Sequence, residues 1–270
     1  MIKPTDYSEF FMKIQRGKQK RAGRFCFYGT DGIGKTFFAS AMKRLAEKII
    51  ATEQSKKTLL LDIEKGSFAL DVARIELADA SYVDIGKTTR SFINDEDIKK
   101  EFNTIVIDSF DWLVTKIENH VCTKGQKNSI SDFEYGTGYT KVFEAVCDYL
   151  ETLDEAIEAG FNVIILAHSK KTQVEDPISP SRLRYDLAIH WKSGNRLKEW
   201  CDLVGFMYLK SEFREEELGF NKTITRSKGK DRRMISFCEN ANWEAKSRIP
   251  IKQEIDLDYE TFASELAKVS

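Results

Sequence analysis

This 270-residue chain has few cysteines, prolines and histidines and no long apolar run. Its five cysteines are odd in number, lie far apart and form no C-x-x-C or Cys/His cluster, which argues against a zinc site or a disulfide framework. No segment approaches the roughly 20 apolar residues that span a bilayer, and residues 1–21 are mixed and basic. We therefore expect reduced thiols in a soluble, cytoplasmic protein that is not secreted.

The charge of the chain is nearly balanced, with 42 Lys and Arg against 43 Asp and Glu. A net charge of −1 provides no global basic field, so any contact with nucleic acid has to use local patches. With 41% hydrophobic residues, a chain of this length buries one substantial core, and a single domain is the default expectation.

Residues 29–36 read Gly-Thr-Asp-Gly-Ile-Gly-Lys-Thr and match the P-loop template G-x-x-x-x-G-K-[ST]. The pattern predicts an aromatic-rich strand at residues 24–28 and a helix at residues 37–50. In that context backbone N–H groups and the helix N-terminus bind phosphates, Lys35 reaches the terminal phosphates, and the Thr36 hydroxyl binds Mg²⁺. The predicted nucleotide-binding residues are Gly29, Thr30, Asp31, Gly32, Ile33, Gly34, Lys35 and Thr36.

Strand and helix patterns alternate along the rest of the chain. Apolar runs at residues 58–64, 103–108 and 161–168 read as buried parallel strands, and a helix is predicted from about Thr140 to Ala159, with Gly160 as its stop. This alternation predicts an α/β fold, a doubly wound and mostly parallel sheet with helices on both faces. The site should lie at the carboxyl ends of the strands.

We divide the chain into an N-terminal extension (residues 1–21), a core (residues 22–255) and a C-terminal tail helix (residues 256–270). A hairpin is predicted within residues 213–237. Two polar connections, residues 123–137 and 169–196, exceed ordinary loop lengths and are expected to be functional or disordered loops.

Acidic residues end two of the predicted strands. Asp108, followed by Ser109, fits a carboxylate that holds Mg²⁺ beside a P-loop. Asp62 and Glu64 are two residues apart and should point to the same side of a strand. Glu64, nearest the carboxyl end, can orient a water molecule and accept its proton, although an ordinary exposed acid is the alternative.

His168 ends the third run as Ala-His-Ser, facing the same crevice. A polar side chain at that strand end can sense the terminal phosphate and transmit its presence to the next segment. A histidine satisfied inside the core is the competing interpretation.

Taken together, these motifs resemble a RecA-type ATPase core, and more narrowly the compact phage nucleotide-binding proteins of the Sak type, which act in single-strand annealing and recombination. The resemblance implies a RecA-like P-loop NTPase that binds ATP with Mg²⁺ through Thr36 and Asp108. It implies Glu64 as catalytic base and an ATPase activity that DNA stimulates.

The same resemblance extends to Lys246 and Arg248, which are similar to a Lys-x-Arg element that reaches the γ-phosphate of a neighbouring subunit. Ser247 stands where such proteins usually carry Asn, and a solvated basic pair is the alternative. The implied partners are single-stranded DNA, further copies of the chain in a ring or filament, and a single-strand-binding protein, in the host cytoplasm if a phage encodes the chain.

Cations and aromatic rings are interleaved in residues 169–196, as single-strand binding requires. A charged loop that is merely solvated is the alternative, and Trp191 could instead be a buried anchor. The candidate DNA-binding residues are Lys170, Lys171, Arg182, Arg184, Tyr185, Trp191, Lys192 and Arg196.

Two other functions share the P-loop. Residues 29–36 also resemble the P-loop of thymidylate kinases, but the chain has no Asp-Arg pair after the second strand and no Arg-rich lid in the expected place. A nucleotide-dependent assembly switch without DNA would not need Glu64 as a base.

Overall fold

The computed structural model describes residues 21–41, 57–175, 180–211, 213–217, 223–227 and 231–268. The strands in this part of the chain are Arg24–Gly29 (β1), Lys57–Asp62 (β2), Ala73–Glu76 (β3), Phe102–Asp108 (β4), Asn162–Val174 (β5), Arg182–Leu187 (β6), Leu203–Lys210 (β7), Phe213–Glu217 (β8), Thr223–Ser227 (β9), Arg232–Ser236 (β10), Lys246–Ser247 (β11) and Glu254–Asp256 (β12). The α-helices are Lys35–Ser40 (α1), Tyr82–Ile93 (α2), Glu96–Glu101 (α3), Phe110–Gly125 (α4), Thr137–Glu158 (α5), Trp191–Trp200 (α6) and Tyr259–Ala267 (α7).

A ten-stranded sheet forms the centre of the protein, with the main order β12-β10-β7-β1-β5-β4-β2-β3. From β7 to β3 all neighbouring strands are parallel, whereas β10 runs antiparallel to β7. Strand β5 lies between β1, which leads into the P-loop, and β4, which ends at Asp108. The observed order and the helices on both faces confirm the predicted RecA-like α/β fold.

The sheet buries side chains on both faces, which is why its central strands are continuous apolar runs. Helices α2, α4, α5 and α6 contribute buried residues to the core on one face. Helices α1 and α7 contribute to the core on the other face, where Phe262 packs against Phe27 and Phe38 at centroid distances of 5.5 and 5.6 Å. The helix predicted as a tail therefore belongs to the core, while the proposed domain boundaries stay a prediction.

Register brings the sequence motifs to one edge of the sheet. Gly29 pairs with His168, and Asp62 pairs with Asp108. All four residues end or nearly end the regular parallel part of their strands, so they meet at the carboxyl edge. That placement follows from strand direction alone, and it is the edge at which the sequence predicts the site.

The expectation of two long loops was wrong. In the first, α4 continues to Gly125, and two 3-10 turns, Ile130–Asp132 and Glu134–Gly136, lead into α5. In the second, β5 continues to Val174 and pairs antiparallel with β6, after which α6 begins at Trp191. Polar residues dominate both segments because these elements project from the sheet edge and are partly exposed.

Other expectations agree with the structure within a few residues. The helix predicted before the third strand is α5, and Gly160 ends it with a positive φ of 94°. The first helix is observed as α1, and residues 42–50 of its predicted length lie outside the described residues, as do residues 1–20. None of the helices within the described ranges is both long and apolar enough to cross a bilayer.

Candidate functional site

The P-loop follows β1 and holds the Lys35 side chain against its own backbone. Gly32 and Gly34 have φ values of 70° and 107°, the left-handed conformation that favours glycine. A Cβ at Gly32 would meet no atom within 4 Å, so open space borders the loop. Lys35 Nζ donates hydrogen bonds to the carbonyl oxygens of Gly29 at 3.3 Å and Thr30 at 3.2 Å. The loop thus presents a cation beside an open concave backbone.

Lys35 is buried among carboxylates. Burial holds its pKa below the ordinary value, although the carboxylates around it act in the opposite direction. These carboxylates belong to Glu64, Asp31, Asp108 and Asp111. Four acids around one lysine leave an excess of negative charge, which a divalent cation accompanying a phosphate chain would offset.

Thr36 and Asp108 form the candidate Mg²⁺ site. The Thr36 hydroxyl donates a 2.7 Å hydrogen bond to Asp108 Oδ2, so two oxygen ligands already lie side by side. Burial raises the pKa of Asp108 to about 6. Hydroxyl and carboxylate oxygens are the donors that Mg²⁺ prefers, and this donor set fits the ion. A bound cation would also favour the ionised form of the buried carboxyl group.

Asp62 organises the turn that follows β2. Its buried carboxylate accepts hydrogen bonds from the amides of Lys65 at 2.6 Å, Gly66 at 3.2 Å and Ser67 at 3.1 Å, and from the Ser67 hydroxyl. The turn is therefore anchored at a buried charge. The expectation that Asp62 and Glu64 share one side of a strand was wrong, because β2 ends at Asp62 and Glu64 lies in the turn.

We expect Asp62→Asn to lower the free energy of unfolding by about 1 to 3 kcal/mol, because the amide NH₂ group donates and cannot replace one of the two accepting carboxylate oxygens. Turnover should fall with it, since the same turn carries Glu64. Denaturant unfolding of the variant measures the first effect. Glu76→Gln, at the exposed end of β3, is the matched control, and equal stability of Asp62→Asn and the parent would contradict the anchoring role.

Glu64 and His168, predicted separately, lie together at the carboxyl edge. Glu64 Oε1 is 3.6 Å from His168 Nε2, and Asp31 Oδ1 of the P-loop is 3.4 Å from the same nitrogen. The amides of Ile63 and Glu64 donate to the Asp108 carbonyl oxygen at 2.7 and 3.1 Å. The candidate base is therefore attached through its backbone to the strand that carries the metal ligand.

Asp111 belongs to this cluster and was missed in the sequence. It lies in the first turn of α4, three residues after Asp108, and both of its carboxylate oxygens accept hydrogen bonds from His168. Burial raises and the hydrogen bonds from His168 lower the pKa of Asp111, which lies below its ordinary value. An acid one turn after the Asp-Ser pair was the only signal in the sequence.

The candidate DNA-binding residues are divided between a hairpin and a helix. Lys171 places its Nζ 5.5 Å from the centre of the Tyr185 ring, and Arg182 Nε donates to the Ala241 carbonyl oxygen at 3.2 Å. Lys170 Nζ donates to the Ile189 carbonyl oxygen at 2.6 Å. These cations lie on the β5–β6 hairpin, which begins directly after His168 in β5.

Arg184 does not fit the DNA-binding prediction. Its side chain is only 10% exposed, and Nη2 lies 2.5 Å from Glu239 Oε1 and 3.6 Å from Glu244 Oε1. Leaving these carboxylates would leave a buried guanidinium without its acidic partners. Tyr185 is also engaged, because its ring stacks on Phe206 at a centroid distance of 5.2 Å. We therefore leave Arg184 out of the candidate DNA interface.

Trp191 opens α6 and is 64% exposed, so the alternative of a buried anchor was wrong. Beside it, His190 stacks on Tyr139 of α5 with a centroid distance of 4.6 Å. Lys192 lies over Phe143, and Arg196 is exposed on the same helix. Helices α5 and α6 both begin at the carboxyl edge, so this aromatic and basic surface shares the edge with the P-loop.

Lys246 and Arg248 bind the end of α6 in the same chain. Arg248 Nη2 donates to the Glu199 carbonyl oxygen at 2.8 Å. Lys246 Nζ donates to three carbonyl oxygens, those of Lys198 at 2.7 Å, Glu199 at 3.1 Å and Cys201 at 3.0 Å. Cations at a helix C-terminus stabilise it. Reaching a neighbouring nucleotide would require Lys246 to leave these carbonyl groups.

The fold and the site define the class of this protein. A P-loop with a buried lysine, an adjacent threonine hydroxyl and carboxylate, and a mostly parallel sheet of this order make it a P-loop NTPase. Residues 21–249 match the AAA_24 family, an AAA domain, and the chain belongs to that family. It therefore carries a P-loop ATPase domain of the AAA type.

A curated relative comes from a prophage. The chain is 28% identical over 144 residues to the SPbeta prophage-derived uncharacterized protein YorG of Bacillus subtilis (strain 168). The match covers 53% of this chain and 39% of YorG, so the chain spans well under half the length of that relative.

Two solved structures are similar at low identity. The KaiC-like protein PH0186 of Pyrococcus horikoshii OT3 is 12% identical with a TM-score of 0.43, covering 87% of this chain and 90% of that one. The flagellar accessory protein FlaH of Methanocaldococcus jannaschii is 9% identical with a TM-score of 0.38, covering 86% and 88%.

Proposed function

We propose that this protein hydrolyses ATP with Mg²⁺ and uses the nucleotide cycle to act on single-stranded DNA in phage recombination, annealing or replication. The observation that supports this most is the meeting of Lys35, Thr36, Asp108, Glu64 and His168 at one sheet edge, from which the β5–β6 hairpin projects. Phosphate, metal and water chemistry therefore adjoin a basic and aromatic surface.

Each residue of this cluster has its own proposed role in ATP hydrolysis. Lys35 would bind the terminal phosphates, and Thr36 with Asp108 would hold Mg²⁺, which would supply positive charge to offset that of the bound phosphates. Glu64 orients the attacking water and accepts its proton. His168 would donate a hydrogen bond to the γ-phosphate from Nε2, the ring nitrogen that lies between Asp31 and Glu64.

His168 also connects the nucleotide with the proposed DNA surface. The Ala188 amide donates to the His168 carbonyl oxygen at 2.9 Å, and Ala188 lies three residues before Trp191. A shift of His168 on phosphate binding therefore reaches the start of α6 through a short covalent and hydrogen-bonded path. ATP should tighten DNA binding, and DNA should tighten ATP binding equally.

We expect Trp191→Ala to weaken binding to single-stranded oligonucleotides by about 1 to 3 kcal/mol without changing its dependence on salt, because the ring stacks on a base. Trp191→Phe keeps a ring and should retain most of the affinity. Fluorescence anisotropy at several salt concentrations, with a non-hydrolysable ATP analogue present, measures both. Thermal unfolding should match the parent within about 0.5 kcal/mol, since the side chain is exposed.

The complementary variant Lys171→Ala/Arg182→Ala should lower the salt slope by about 1.4, or about 0.7 for each lost phosphate contact. No binding of the parent to single strands at low salt would reject the DNA proposal. The same preparation then distinguishes the alternatives. Hydrolysis that DNA leaves unchanged indicates an assembly switch, and phosphate transfer to a nucleoside monophosphate indicates a kinase.

The proposal also includes self-association and a protein partner. A ring or filament, a single-strand-binding protein as partner, and a role for Lys246 and Arg248 at a neighbouring subunit's nucleotide stay predictions. The intramolecular bonds of Lys246 at the end of α6 give that residue a structural role that exists without any partner.

A further inference from the structure

The most complete hydrogen-bonding arrangement in the cluster joins α4 to the end of the regular part of β5. Asp111 Oδ1 accepts from the backbone N–H of His168 at 3.0 Å, and Asp111 Oδ2 lies 2.9 Å from His168 Nδ1. One carboxylate thus binds both the backbone and the ring of one residue. Two contacts at two different atoms leave the imidazole little freedom to rotate.

This arrangement determines which nitrogen faces the crevice. A carboxylate that accepts from Nδ1 keeps the proton on that nitrogen, so Nε2 points away from α4. Nε2 lies 3.4 Å from Asp31 of the P-loop and 3.6 Å from Glu64 in the turn after β2. The nitrogen that faces the phosphate region is therefore selected by a residue that does not reach that region itself.

The position of Asp111 also couples His168 to the metal ligand. Asp111 lies one helical turn after Asp108, in the first turn of a helix whose buried residues pack into the sheet core. An acid in the first turn of a helix is favoured by the helix dipole. The carboxylate is therefore anchored to the strand end that carries Asp108, the candidate Mg²⁺ ligand.

We propose that Asp111 is the positioning residue for His168, holding the imidazole so that Nε2–H meets the γ-phosphate beside Glu64. This inference rests on the proposed ATPase function. The charged groups around the His168 ring are the carboxylates of Asp111, Asp31 and Glu64 and the ammonium group of Lys35. The hydrogen bond with Asp111 is the main cause that raises the pKa of His168, and burial opposes it. A neutral ring with its proton on Nδ1 has none on Nε2, so the protonated ring, which donates from both nitrogens at once, makes the Nε2–H contact.

Asp111→Asn is the decisive variant, because the amide keeps the size and removes the charge. We expect kcat for ATP hydrolysis to fall by about 10- to 100-fold with little change in KM, because Asp111 orients His168 and does not itself bind ATP. Glu118→Gln, an acid-to-amide change on the same helix without contact to His168, is the matched control and should leave kcat unchanged. In a His168→Gln background, Asp111→Asn should cause no further loss.

Nitrogen-15 NMR of the imidazoles in the nucleotide-free protein tests the same idea without catalysis, since the chain has three histidines. The parent should titrate His168 above the ordinary pKa and, above that pKa, carry the proton on Nδ1, whereas Asp111→Asn should lower the pKa. An Nε2–H tautomer in the parent, or a pKa unaffected by Asp111→Asn, would overturn the proposal. An Asp111→Asn enzyme with the parental kcat would also overturn it. The same holds if Asp111→Asn lowers kcat in the His168→Gln background as much as it does in the parent. A parent without ATPase activity would reject the proposed function instead, while the tautomer would still decide whether Asp111 holds the ring.

Discussion

Lys35→Ala is expected to lose ATP binding. Lys35 is the cation of the P-loop, and its removal would leave the four surrounding carboxylates without a positive charge among them. Truncating one partner of a buried charge pair costs about 2 to 5 kcal/mol of binding free energy. The remaining acids would then repel the phosphates without an opposing protein charge. Calorimetric titration with ATP and Mg²⁺ measures the loss directly.

Lys57→Ala is the matched control for this experiment. Lys57 is an exposed lysine at the start of β2, 2.7 Å from Glu101 Oε1 at the opposite edge of the sheet, and exposed pairs contribute little to stability. It should bind ATP like the parent. If Lys35→Ala also bound and hydrolysed ATP like the parent, the phosphate site would have to lie elsewhere on the molecule.

Glu64→Gln should leave nucleotide binding intact and reduce turnover by about 10² to 10⁴. Glutamine retains the shape of the side chain and its approach to His168 but cannot accept the proton of the attacking water. ATP should therefore accumulate on the variant enzyme. A single-turnover experiment with radiolabelled ATP separates the loss of chemistry from any change in binding.

Glu76→Gln, an acid-to-amide change at the exposed end of β3, should hydrolyse ATP at the parental rate. Unchanged single-turnover hydrolysis by Glu64→Gln would transfer the role of base to another carboxylate. Asp31 would be the next candidate, because it lies 3.4 Å from His168 Nε2.

Local sequence signals predicted the candidate nucleotide site because each of them depends on one strand and its end. The P-loop needs glycines at two backbone positions with positive φ, and both are present as Gly32 and Gly34. Asp108 and His168 each follow an apolar run, and strand direction then brings them to the same edge. These features require no knowledge of distant contacts.

Local signals did not predict which side chains of residues 169–196 are exposed. The composition of residues 169–196 predicted a loop whose cations and aromatic rings bind single-stranded DNA, with a merely solvated loop as the alternative. Instead, β5 and β6 pair as an antiparallel hairpin in which Arg184 is buried beside Glu239, and Trp191 is exposed at the start of α6. Alternating side chains of a hairpin point in opposite directions, so register decided which cations face solvent.

By itself, the sequence determined the class of fold, the P-loop, and the edge of the sheet at which the candidate Mg²⁺ ligands lie, because strand and helix periodicity and glycine conformation are local properties. Only the tertiary structure decided that Asp111 holds His168, that Asp62 anchors the turn bearing Glu64, and that Lys246 binds the end of α6. Two of these contacts join residues more than 40 positions apart, and the third depends on the turn after β2 closing around a buried carboxylate. Side-chain partners of this kind are selected by packing, which no local pattern encodes.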